Sequence, residues 1–440
     1  MRNTRTFVLA ITAFACSVVI KAQNVVTTQS AVELALEHNY GIQISKNNVE
    51  IAENNTNVLN SGFLPRLTGN AGATYNLDNT EAEFSDGSTR TLDGAESSRY
   101  NASVNLNYTL FDGLGRQYNY RRLKEEKQLT ELEARETIEN TMIQLLSIYY
   151  NVAQISENTD ALQQTLNISR NRLIRAEYQF EYGQNSKLGV LNAQVDINND
   201  SINVINANQR LINAKRDLNV VTGNELPANF EVDTLITFAL GLDRMDLLQK
   251  VKSNNVTLLQ LEKNLLIGQY NLKSWKSDYL PTLGLTGSYG WNKNNNNAAS
   301  FLAVSTSTGL SAGLNLSWNL FDGGGTITRV KNAQIDLENL QLQKEQIVMN
   351  VERDFDNAWD DYQNKLTIYN VRENNIVTFK NNFERTEEKF RIGQATSLEF
   401  RQAQLNLLGA ELNRNQAKYE AKLAELILLQ LSGELLNVNF

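Results

Sequence analysis

From Tyr100 to Leu110 the apolar side chains fall on every even position (Tyr100, Ala102, Val104, Leu106, Tyr108, Leu110), with Asn101, Ser103, Asn105, Asn107 and Thr109 between them. Period-two alternation of this kind predicts a strand with one apolar and one wet face. Three more segments read the same way. Leu67–Leu77 and Leu283–Trp291 carry their apolar residues on odd positions, and Leu310–Leu320 carries them on even ones. Elsewhere the pattern is helical. Segments 31–62 and 244–276 read as helices that end before Pro65 and Pro281, because the residue ahead of a proline is pushed out of the α region. A Phe-Asp-Gly turn after each strand pair opens a helix of about 70 residues. That helix closes at Gly183 or Gly393, where a left-handed glycine is expected. Ser186 or Thr396 then caps a returning helix that stops near Gly223 or Gly433.

This order occurs twice because the chain is a tandem duplication. At an offset of 210, Leu110-Phe111-Asp112-Gly113 matches Leu320-Phe321-Asp322-Gly323. Phe180, Gly183, Gln184, Leu188, Ala193 and Gln194 match Phe390, Gly393, Gln394, Leu398, Ala403 and Gln404. Upstream the offset is 216, and Ser61, Leu64 and Pro65 match Ser277, Leu280 and Pro281. The lengths also fit together. The span from Phe111 to Gly183 would run roughly 108 Å as helix, and the two shorter helices stacked end to end would lie alongside all of it. The expected organisation is a first repeat over 23–222 with its β-hairpin at 66–110, an equatorial connection over 223–243, and a second repeat over 244–440 with its β-hairpin at 282–320.

Composition and charge narrow the function. Three prolines in 440 residues are far below the usual share of about 5% and favour long uninterrupted elements. A net charge of −8 argues against a nucleic-acid partner, which would need a basic face. Arg2 and Arg5, the apolar run Phe7–Ile20 and a small residue at Ala22 read as a signal peptide over 1–22. Cys16 raises a lipoprotein alternative, which Phe14 and Val18–Ile20 fit poorly. Cleavage after Ala22 would leave no cysteine for disulfides, thiol catalysis or metal ligation.

In a secreted chain, strands of about ten residues match the length that crosses a bilayer when tilted. Tyr75, Tyr100, Tyr108, Tyr289, Trp291 and Trp318 lie towards strand ends, as an interfacial girdle would. The intervening segments, acidic 78–98 and the asparagine run 292–297, read as extracellular loops. A soluble sheet packed on the helices is the alternative. Four strands cannot close a barrel alone, and an open edge in lipid leaves backbone groups unpaired. Two copies would give eight strands filled by their own side chains; three would give twelve and the smallest closed form expected to conduct. The wet faces (Thr68, Asn70, Thr74, Asn101, Ser103, Asn105, Asn107, Asn315, Ser317, Asn319) would line the lumen with uncharged groups.

The duplicated order, with FLP and YLP before the strands, LFDG and LFDGGG after them, and FEYGQNSKLGVLNAQ and FRIGQATSLEFRQAQ at the tips, resembles the TolC family of outer-membrane efflux channels over about 23–440. The resemblance implies a mainly α fold with membrane β. It implies a homotrimer whose twelve-stranded barrel in outer-membrane lipid continues into a periplasmic α-barrel, bridged by a periplasmic adaptor to an inner-membrane transporter. It assigns Gly183, Gln184, Ser186, Leu188, Gly393, Gln394, Thr396 and Leu398 to the tip and adaptor contact, and Glu399, Gln402 and Asn192 to the pore entrance. The family's tip arginine is replaced by Ala395, and its polar partner in the first half by Gly189.

Enzymatic chemistry is not expected. His38 has no second histidine or cysteine beside it and reads as a capping or surface residue. The glycines after Asp112 and Asp322 have no Gly-Lys-Ser/Thr following and suit a strand-to-helix corner. Asp360 and Asp361 read as a solvated helix face. No cofactor or metal is expected. Thr396-Ser-Leu-Glu399 is also a capping box, so Glu399 has a structural role open to it besides the pore. The function favoured is a passive exit duct for efflux or type I secretion; a periplasmic coiled-coil scaffold and a general diffusion porin are the alternatives.

Overall fold

The computed structural model describes residues 25–227 and 229–438; the expected signal peptide, with Cys16, lies outside them. The element order is β1 (Val25–Val26), α1 (Thr28–His38), α2 (Tyr40–Asn55), β2 (Arg66–Glu83), β3 (Thr89–Asp112), α3 (Gly115–Glu181), α4 (Lys187–Val221), β4 (Glu231–Val232), α5 (Arg244–Asn254), α6 (Val256–Ser277), β5 (Thr282–Asn295), β6 (Val304–Ser317), α7 (Gly325–Arg391) and α8 (Ser397–Leu431). At 67 residues each, α3 and α7 run about 100 Å.

The helices expected over 31–62 and 244–276 are each interrupted by one asparagine. Asn39 and Asn255 are extended, with ψ near 123°. The Asn39 Oδ1 accepts from the N–H groups of Gly41 (2.9 Å) and Ile42 (3.3 Å), while its Nδ2 donates to the Val221 carbonyl at 3.0 Å. Asn255 repeats this with Thr257 (3.1 Å), Leu258 (3.2 Å) and the Leu431 carbonyl (2.9 Å). One side chain thus caps the start of the upper helix and takes an orphan carbonyl at the end of the lower one. This splice stacks α2 on α4 and α6 on α8. Gly223 and Gly433 (φ +79° and +70°) close it, since a Cβ there would lie 2.6 Å from His38 Cβ or 2.5 Å from the Asn254 carbonyl oxygen. His38 is a packing residue of the splice.

The helices form a wall one layer thick and four wide. Its order towards the sheet is α2–α3–α6–α7 and away from it α4–α3–α8–α7. Interior position shows in burial: Leu145, Leu146, Tyr149 and Val152 of α3 and Leu426 and Leu428 of α8 are fully buried. At the edges, Ile335, Leu342 and Met349 of α7 and Val195, Ile202 and Ile205 of α4 are more than half exposed. The main core lies at mid-height, where α3 meets Ala31, Val32 and Ala35 of α1, Leu218 of α4 and Tyr419 of α8. The connection 223–243 is strapped onto this core. Its β4 pairs in parallel with β1 (Val25 opposite Glu231, Val26 opposite Val232). Lys418 and Lys422 of α8 donate to its Thr234 and Thr237 carbonyls (3.1 and 2.8 Å).

The four long strands form one antiparallel sheet in the order β2-β3-β5-β6. They are longer than the sequence pattern indicated, at 18, 24, 14 and 14 residues. The segment 78–98, expected as a loop, is mostly a two-stranded ribbon that pairs as far as Glu83 opposite Thr89, and Asn292–Asn295 likewise belong to β5. A ribbon wet on both faces needs no alternation, so its polar sequence concealed the pairing. In the other direction, β6 ends at Ser317. Trp318 leaves the ladder and donates its indole N–H to the Tyr279 carbonyl (3.1 Å), so Asn319, expected in the lumen, falls outside the sheet.

Candidate functional site

Register assembles the predicted polar face. Asn105 stands opposite Thr68 and Ser288, and Ser103 opposite Asn70 and Gly290. Across the next pairing, Ser288 faces Ser311, Gly284 faces Asn315 and Thr282 faces Ser317. The Ser288 hydroxyl donates to Asn105 Oδ1 at 2.7 Å, and Asn105 Nδ2 to the Ser103 hydroxyl at 3.2 Å. Asn101 and Asn107 share this face by alternation, as does Thr74. The other face carries Leu67, Leu106, Leu285, Tyr289, Leu310 and Leu314. Arg99, opposite Thr74 and Asn294, sits on the polar face at its outer rim and donates its Nε–H to Asn294 Oδ1 (3.1 Å). The sequence reading had left it at the end of the loop.

At the far end, Gly183 and Gly393 have φ of +73° and +80°, as expected of helix-closing glycines. The Gln184 and Gln394 N–H groups reach back to the Gln179 and Lys389 carbonyls at 2.7 and 2.8 Å. Ser186 Oγ accepts from the Gly189 N–H at 3.3 Å. In the second tip Thr396 Oγ1 accepts from the Glu399 N–H (3.2 Å) and Glu399 Oε2 accepts from the Thr396 N–H (2.8 Å), which completes the capping box. The Thr396 backbone N–H, then its hydroxyl and the charge of Lys389, hold the Glu399 carboxyl below the usual glutamate range. Glu399, Gln402 and Gln394 line one open cavity of about 340 Å³ with Thr386 and Lys389. Gln402 donates to Asn406 Oδ1 (2.8 Å). Asn192 is exposed on the other hairpin and does not share that cavity. Leu188 and Leu398 are both exposed at the tips. Among the described residues no group of three or more His, Cys, Asp or Glu is placed to hold a metal ion.

A sheet with one apolar and one amide-and-hydroxyl face, set on a helical wall about 100 Å long, defines an outer-membrane channel subunit with a periplasmic tunnel. The chain belongs to the outer membrane efflux protein family, whose sequence profile matches residues 31–224 and 247–434. It is 23% identical to the outer membrane protein TolC of Vibrio cholerae over 68% of this chain and 69% of that one. It is 19% identical to the outer membrane efflux protein BepC of Brucella suis over 93% and 86%. The fold superposes on the CmeC outer membrane channel of Campylobacter jejuni with a TM-score of 0.77 (16% identity, 93% and 86% covered). On the open state of the MtrE outer membrane channel of Neisseria gonorrhoeae the score is 0.70 (16% identity, 93% and 89%). The protein is an efflux channel of the cell outer membrane.

Proposed function

We propose that three copies close head to tail into a passive exit duct with a twelve-stranded barrel. A periplasmic adaptor would dock at the tips and an inner-membrane transporter would energise it. The observation that carries this reading is the pair of unfilled edges. Within the chain α3 lies between α4 and α8, whereas its repeat counterpart α7 has α8 on one side only. The repeat relation fills that position with α4 of another copy, and the free edge of β6 with another copy's β2. The heterologous contact so formed closes a ring. The exposed α7 stripe Ile335, Leu342, Met349 and the exposed α2 pair Ile44 and Ile51 are both spaced by seven residues, the spacing of a helix seam that needs a partner. Nothing in this reading requires the chain to carry out catalysis.

Purified protein in mild detergent is expected to be a trimer whose gel mobility changes on heating. A stable monomer with full β content by circular dichroism would overturn the proposal. Glu399→Gln keeps the capping bond and removes one charge from each copy at the pore entrance. It should weaken block by divalent and trivalent cations without altering thermal stability. Because the carboxyl is held below its usual range, wild-type block should be complete at neutral pH. It should fade only as pH falls beneath the ordinary glutamate range.

A further inference from the structure

On the apolar face of the sheet the character of the side chains changes with distance from the helices. Leu283, Leu285, Gly287, Tyr289 and Trp291 occupy alternate positions of β5, and Lys293 is next in the series. From Leu283 to Lys293 the strand advances by about 33 Å. At a tilt of about 45° that is about 23 Å of height, against an apolar band about 25 Å tall in outer-membrane barrels. With Leu283 at the inner edge of that band, Lys293 falls where hydrocarbon gives way to the headgroups of the outer leaflet. No other lysine or arginine of the four strands shares this face between those two levels.

Register puts two more donors beside it. Lys293 stands opposite Tyr100 of β3 and opposite Thr306 of β6. An ammonium, a phenol and a hydroxyl thus form one row on one face, about 10 Å from end to end. Tyr100 and Thr306 are exposed and Lys293 is half-buried. Among the described residues none of the three side chains makes a hydrogen bond or an ion pair. The next rung outward is closed on itself, since Asn295 Nδ2 donates to the Ser98 hydroxyl at 2.8 Å. A lysine alone at this height would simply carry its ammonium up to water. Three free donors held side by side in a ladder match an oxyanion with several acceptor oxygens. Glu96 shares the face four residues farther out on β3. It is about 13 Å along the strand from Tyr100, too far to oppose an anion bound on the row.

We propose that Tyr100, Lys293 and Thr306 bind the phosphate of an outer-leaflet lipid, at one site on each copy. The proposal rests on the closed-barrel reading, in which this face meets lipid. The occupant is a lipid because its acyl chains, with the phosphate on the row, would run down over Trp291, Tyr289 and Leu310. Tyr289 and Leu310 are cross-strand partners two rungs below, and both are more than half exposed. Covering them adds apolar burial to the contacts made by the three donors, which a free phosphate would not gain. Three such sites ring the barrel at one height and fix its depth in the membrane.

The test is the thermal midpoint of the purified trimer in non-ionic detergent while bisphosphorylated lipid A is titrated in, since a ligand of the folded state raises that midpoint. Dephosphorylated lipid A and inorganic phosphate are titrated in parallel. The wild-type midpoint should rise with the phosphorylated lipid alone, and a chelator of divalent cations should leave the rise intact. Lys293→Gln should need about tenfold more lipid for the same rise, the ratio that loss of one charge-assisted hydrogen bond implies. Lys293→Arg should keep the response. Arg99→Gln removes a cation at nearly the same height from the opposite face, and should change nothing. If Lys293→Gln does not assemble, Tyr100→Phe combined with Thr306→Ala leaves the charge in place and reads the same row; it too should weaken binding by about tenfold. An unresponsive wild-type trimer would overturn the site, as would a Lys293→Gln response equal to wild type. An equal rise with inorganic phosphate or with dephosphorylated lipid would overturn the lipid phosphate as occupant. Loss of the rise under the chelator would assign the lipid to metal-bridged carboxylates instead. A chain that forms no trimer in detergent would fail the closed-barrel reading itself, before any lipid is added.

Discussion

Three pairs of helices match in length between the two repeats: 11 residues in α1 and α5, 67 in α3 and α7, 35 in α4 and α8. They nevertheless occupy different environments. In the first repeat the long helix lies inside the wall and the returning helix lies at its edge. In the second repeat these positions are exchanged. The strand pairs differ in the same sense, since β3 lies between β2 and β5 whereas β6 pairs with β5 alone. A duplicated pattern of similar amphipathicity is thus buried in one copy and exposed in the other. The asymmetry belongs to the single chain, and closure with other copies would remove it.

Lysine on the apolar face of the sheet makes the strongest test of this equivalence. Leu106→Lys on the interior strand β3 and Leu310→Lys on the edge strand β6 should each cost about 2–4 kcal/mol if both face lipid near the midplane. The readout is urea unfolding in detergent or liposomes. Asn105→Lys, on the opposite face, should alter conductance and spare assembly. A cost at Leu106 with none at Leu310 would mean that β6 is not a lipid-facing interface strand.

The splices should behave alike. Asn39→Ala and Asn255→Ala each remove a cap worth about 1 kcal/mol and a bond to a carbonyl of similar size, so each should lower stability by about 2 kcal/mol. Hydrogen exchange should rise at mid-height in the repeat that is altered. An effect confined to one repeat would show that the other splice is held closed without its asparagine, by the strap or by Arg135, which braces the Asn254 and Gly433 carbonyls (3.2 Å each).

The smallest expected effect lies at the strand-to-helix corner. Leu114 has a left-handed φ of +70°, where the second repeat has Gly324 at +91°. The first corner is held by Asp112 accepting from the Arg116 backbone N–H (3.0 Å) and Nε–H (2.8 Å), the second by Asp322 accepting from the Thr326 N–H and hydroxyl (2.7 Å each). Gly324→Leu should cost about 1–2 kcal/mol. Leu114→Gly should return less than that, because glycine also loosens the unfolded chain. Chemical denaturation of the two single variants measures both.

Much of this architecture was legible in the sequence because it depends on local signals. The Phe-Asp-Gly corners, the closing glycines and the capping residues Ser186 and Thr396 each act within one turn of chain, and strand faces follow from alternation. Asn39 and Asn255 were missed because a single asparagine in a helical stretch looks like a mildly poor helix former. Its role as a cap appears only when the end of another helix is brought against it. Their coincidence at the 216 offset was the available signal. The ion pair between Arg401 of α8 and Asp200 of α4 joins residues 201 apart on helices whose adjacency no periodicity encodes. Glu399 could be placed at the tip and in its capping box from sequence.

The splice makes the protein's reach a matter of counting. The tip-to-sheet distance is set by the lengths of α3 and α7, and each is matched by two shorter helices meeting at an asparagine that needs only one free carbonyl from below. Seven residues added at the same height to α3, α4, α7 and α8 would preserve every heptad contact and both asparagine bridges. The rod would then grow by about 10 Å. Such a scaffold can be refitted to a wider gap between two membranes in quantised steps, with the barrel and the tip carried along unchanged.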